Sequence, residues 1–129
     1  MLKIIKTFSL FFLLHAVAWG GTHYYLSQNP KEVLIVVDTS FAMKPHFPAV
    51  KNWISDFKNG SRYTNIIIGT DKAALGELSK LNSMESIYRI SFGRINKKSL
   101  DRYSNFKNKK YFLSDGSITV DGWNIITFD

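Results

Sequence analysis

The run Val33-Leu34-Ile35-Val36-Val37-Asp38-Thr39-Ser40-Phe41-Ala42-Met43 decides the fold. Its first five residues are apolar, mostly β-branched and without alternation, as in a strand covered on both faces, and such strands belong to parallel sheets packed between helices. The strand ends at Asp38. Beyond a polar turn, Phe47, Val50, Ile54 and Phe57 fall at helical spacing, which predicts a helix that Pro45 or Pro48 begins and Asn59-Gly60 ends. Strand and helix together make one βα unit.

The pattern continues downstream. Tyr63 to Ile68 predicts a second strand, after which Thr70 or Asp71 caps a second helix carrying Ala74, Leu75, Leu78 and Leu81 inward. Ser86 to Phe92 reads as a third strand, with Arg89 marking an edge and Ile87, Ile90 and Phe92 filling the core. Asn96 to Tyr103 reads as a short basic helix. Tyr111-Phe112-Leu113 leads into Asp115-Gly116, and Asp121-Gly122 turns the chain into a final strand, Trp123 to Phe128. The expected fold of residues 31–129 is α/β, an open, mainly parallel sheet with helices on both faces.

Residues 1–30 read differently. From Thr7 to Asn29 no side chain carries a formal charge. As a helix, Thr7 to Gln28 is about 22 residues or roughly 33 Å long, enough for a hydrocarbon core of about 30 Å. Lys3 and Lys6 precede it and Trp19, Tyr24 and Tyr25 lie near its far end, so an N-terminal transmembrane helix is expected with its start in the cytoplasm. The following domain is then extracytoplasmic, periplasmic or extracellular. A cleaved signal peptide is the competing reading, with Phe8 to Leu14 as its apolar region and Ala16-Val17-Ala18 as its cleavage pattern; the domain would then be secreted. His15 and His23 have too few neighbouring ligands for a metal pair.

Composition narrows the function. The 129 residues hold 45% hydrophobic and 15% aromatic side chains, no cysteine, and a net charge of +7. A disordered chain, a large multi-domain enzyme, a thiolate metal site and a cysteine nucleophile are excluded. No Gly-x-Ser-x-Gly elbow or P-loop occurs, and His46, alone in the domain, has no triad spacing. Asn59-Gly60-Ser61 fits a glycosylation sequon and equally a turn. Eight Lys and Arg between Arg89 and Lys110 read as a solvated basic face, with nucleic acid an unfavoured partner for an exported domain.

In open α/β sheets the loops at the carboxyl ends of the strands build the site. The first of these, Asp38-Thr39-Ser40-Phe41-Ala42-Met43, resembles the Asp-x-Ser-x-Ser motif of von Willebrand factor type A domains, and Leu113-Ser114-Asp115-Gly116 resembles that family's strand ending in Thr-Asp-Gly. The resemblance covers roughly residues 31–128 and describes a reduced version, shorter by one strand and one or two helices. It implies a metal-ion-dependent adhesion site, with Asp38, Ser40 and Asp115 as ligands of a hard Mg²⁺ that leaves a position for a partner's carboxylate. Ala42 stands where the second serine would be and offers no oxygen. The threonine loop has only Thr70 and Ser83 as candidates. An Asp that follows a strand or precedes a glycine also serves as an ordinary cap or turn residue.

These observations lead to a membrane-anchored, extracytoplasmic module that binds a protein partner through Thr39, Phe41, Met43, Thr70 and Asp71, with the ion lost or weak. An alternative is a small metal-dependent nuclease-like enzyme using Asp38, Asp71 and Asp115. A third is a non-catalytic structural subunit of a membrane complex.

Overall fold

The computed structural model describes all 129 residues, which form two compact units, residues 1–30 and 31–129. The first unit is one helix, α1 (Leu2–Gln28), long and apolar enough to cross a membrane. Its 27 residues span about 40 Å. The Thr7 and Thr22 hydroxyls donate to the carbonyls of Lys3 and Ala18 at 2.9 and 2.8 Å, so these polar side chains are satisfied within the helix. His15 and His23 pack on the rings of Phe11 and Trp19.

The second unit is α/β, with a five-stranded sheet. In chain order its elements are β1 (Lys31–Val37), α2 (Phe47–Gly60), β2 (Thr64–Thr70), β3 (Ala74–Glu77), β4 (Lys109–Ser114) and β5 (Asn124–Thr127). The strand order is β3-β2-β1-β4-β5, parallel throughout except for β3. Central β1 pairs Val37 with Thr70 on one side and with Leu113 on the other.

The unbroken run of β1 is explained by what covers it. Val33, Ile35 and Val37 face Met43, Val50 and Ile54, which come from the turn after β1 and from α2. Leu34 and Val36 face the opposite way, with Phe112, Leu100 and Tyr103. From Leu34 to Val37 the strand has at most 1% exposure, which no alternating sequence could tolerate. The helix α2 starts with Pro48 in its first turn, where a missing N–H costs nothing, and it buries Val50 and Ile54.

Three expectations are corrected. The segment after Thr70 is not a helix: the Thr70 hydroxyl accepts from the N–H groups of Lys72 and Ala73, both at 3.1 Å, and turns the chain back as antiparallel β3. Gly76 at φ +99° suits this bulged pairing and opposes a helix. The segment Ser86 to Phe92 is not a strand. Ser83 caps a 3-10 helix, Met84–Tyr88, that buries Ile87 alone, while Ile90 and Phe92 are 57% and 61% exposed. Helices do not cover both faces equally, because α2 is the only α-helix in this unit and the second face is covered by the 3-10 helix Lys97–Tyr103 with Ile118, Val120 and Trp123.

Candidate site at the carboxyl rim of the sheet

From β1 the chain passes through α2 to β2 on one side, and later enters β4 on the other side. Connections that diverge in this way leave a crevice beyond the carboxyl ends of β1 and β4, the general ligand position of open α/β sheets. The register brings Asp38, Asp71 and Ser114 to the ends of three adjacent strands, with Asp115 one residue further. The structure therefore places Asp38, Ser40, Asp71 and Asp115 at one rim.

Each carboxylate has a different setting. Asp38 is fully buried, its Oδ1 accepts the Ser40 N–H at 2.8 Å, and its Oδ2 has no partner. Burial pushes its carboxyl above the ordinary range, and the negative charges of Asp71 and Asp115 push the same way against the Ser40 hydrogen bond. Asp71 is occupied. Its Oδ1 accepts the Thr39 N–H at 2.9 Å and the Thr39 hydroxyl at 2.6 Å, while its Oδ2 pairs with Lys72 Nζ at 2.5 Å. Asp115 is half-buried and accepts the Ser117 N–H at 3.0 Å; the Ser117 hydrogen bonds, with a smaller contribution from His46, hold its carboxyl below the ordinary range.

Beside them lies a cleft of about 800 Å³. Ser40, Phe41 and Ala42 form part of its wall, the segment Ser91 to Ile95 another part, and Asp115, Ser117 and Ile118 the rest. The Phe41 N–H donates to the Gly93 carbonyl at 3.0 Å and ties two of these walls together. Phe41 and Phe92 are 68% and 61% exposed, and the ammonium groups of Lys44 and Lys72 sit over their rings at 5.1 and 4.9 Å.

Among the five residues expected to meet a partner, only Phe41 is exposed. Met43 is fully buried in the core, and Thr39, Thr70 and Asp71 are buried through the hydrogen bonds that shape the rim. They shape the rim from within. Phe92, Arg94 and Ile118 line the cleft without a sequence signal, because long-range folding brings them to Phe41.

The donors do not fit a built Mg²⁺ site. No three acidic or histidine side chains approach closely enough to share an ion. Asp71 is consumed by Thr39 and Lys72, and Ala42 supplies no oxygen. The same engagement of Asp71 removes it from the acidic cluster that a nuclease would need.

A carboxyl with a raised pKa in the folded state binds protons that the unfolded chain has released, so its contribution to stability is present below 3.8 and is lost as pH rises through the folded value. Asp38→Asn keeps the acceptor for Ser40 and removes the buried charge. We expect it to stabilise the domain by about 1 kcal/mol at pH 7, with the gain shrinking as urea melts are repeated toward pH 4. Equal stability at all pH values would refute a strained Asp38. The chain matches no family model, no curated protein and no solved structure.

Proposed function

We propose that the protein is a membrane-anchored, extracytoplasmic module, resembling a reduced type A domain, that binds a protein partner at the carboxyl rim without a strongly held ion. The carrying observation is the cleft at the switch point, edged by two large exposed aromatics, Phe41 and Phe92. Exposed aromatic anchors around a concavity are what interface hot spots are made of. The apolar α1 behind Lys3 and Lys6 supports an anchor with its start in the cytoplasm.

The test is photo-crosslinking of the full chain in its native membranes, with a photoreactive residue replacing Phe41, Phe92 or, as control, Lys98. Discrete adducts to one protein from the two rim positions, absent from Lys98, are expected. Phe41→Ala should weaken the Phe92 adduct about tenfold, and chelation should leave it unchanged. Identical adducts at all three positions, or none, would overturn the rim as a docking site.

A further inference from the structure

The opposite edge of the sheet carries a different surface. The parallel register sets Lys31 at the start of β1 beside Thr64 at the start of β2, and Lys109 and Lys110 beside Val33 and Leu34. Arg62 precedes β2 and Lys107 precedes β4, so five cations gather at the amino-terminal ends of three adjacent strands. Lys58 joins them from the last turn of α2. None of the six is in an ion pair, since the three pairs of the structure involve Lys51, Lys72 and Lys80. All but Lys110 are exposed. Two aromatics are interleaved: the Arg62 guanidinium lies 5.1 Å from the Tyr63 ring centre and Lys110 Nζ lies 5.0 Å from that of Trp123. Glu32 in β1 brings negative charge to this edge, and so does Glu77 at the end of β3, which hydrogen-bonds Asn65 and pairs with Lys80.

We infer that this amino-terminal edge binds the anionic headgroups of a lipid bilayer. Unpaired Lys and Arg with Tyr and Trp among them is the composition of a protein surface at a membrane interface. In sequence, only Asn29 and Pro30 separate the end of the apolar α1 from Lys31, the first residue of the edge. A bilayer that holds α1 thus has its headgroups within the reach of a two-residue connection, about 7 Å. Headgroup phosphates give these cations partners that the fold does not. The inference rests on the membrane-anchored part of the proposed function and not on the rim.

The chain has no cysteine, so single reporter thiols can be placed at will. We would label Asn108→Cys at the edge and Ser117→Cys at the rim with an environment-sensitive fluorophore and reconstitute the full chain in phosphatidylcholine vesicles, with and without about one-third phosphatidylglycerol. Co-flotation with both vesicle types reads the anchor, and its failure with both would refute anchoring and with it this inference. The edge label should shift to shorter wavelength only with phosphatidylglycerol, and the shift should vanish near 1 M salt, where the screening length is about 3 Å. Lys109→Ala or Arg62→Ala should each lower the docked-to-undocked ratio about fivefold. An edge label blind to lipid charge would overturn the assignment and leave an acidic protein as occupant. So would an equal response from the rim label.

Discussion

Gly69→Ala is expected to cost the domain about 4 kcal/mol, the sum of overpacking and a broken buried hydrogen bond. A methyl group there would lie 2.2 Å from the Tyr103 hydroxyl oxygen and 2.7 Å from its ring carbon Cζ. Tyr103 cannot step aside cheaply. It is buried, it packs against Trp123, and its hydroxyl donates to the Thr70 carbonyl at 2.6 Å. Burial pushes its phenol up to about 12, so it remains a donor at any ordinary pH. With the Tyr103 hydroxyl also reaching the Ala73 carbonyl and Arg102 donating to the Lys72 carbonyl, this contact joins the 3-10 helix Lys97–Tyr103 to the strand end that presents Asp71. Thermal unfolding of the full chain in mild detergent should show a fall of roughly 15–30 °C. Tyr103→Phe removes the atom in the worst clash, so the double variant should be less destabilised than the sum of the two singles by about 1 kcal/mol or more. Additive losses, or a silent Gly69→Ala, would show that β2 and Tyr103 do not meet as described.

Asp71→Ala is expected to lose about 3 kcal/mol, whereas Asp115→Ala should lose under about 1 kcal/mol. The asymmetry follows from partners. Asp71 satisfies a buried backbone N–H and a buried hydroxyl of Thr39 and holds Lys72, and removing it orphans the Thr39 N–H and strips Lys72 of its carboxylate. Asp115 closes a local turn onto Ser117 and is half-buried. If both carboxylates mainly ligated an ion, the two variants would instead fall together, and chelation of the parent would reproduce either loss. Chemical denaturation of the parent and both variants, with and without chelator, separates these outcomes.

Much of the architecture was legible because burial dictated it. An unbroken apolar β1 has no other stable setting than a doubly covered strand, and the spacing of Val50 and Ile54 leaves little choice but α2. The segment after Thr70 misled because Ala74, Leu75, Leu78 and Leu81 imitate a helical face. The contrary signal was Gly76, whose positive φ ends that reading, together with a threonine able to close a tight turn. Tyr88, Ile90 and Phe92 alternate like a strand, yet Ser83 followed by Glu85 is a cap, and the cap prevails. At the site, Asp38, Ser40 and Asp115 could be found from their places after strands. The cleft could not, because it depends on Gly93 accepting from Phe41 across half the domain.

The pairing of β1 with β4 has a consequence for biogenesis. The ribosome makes Val33 well before the residue it lies beside, Lys109, which follows it by 76 residues (109 − 33). Until then the central strand has an uncovered flank, and closing it brings together residues far apart in sequence. The sheet is therefore completed only once β4 has been made, and the nascent chain before that point is the stage at which it is most open to misassembly.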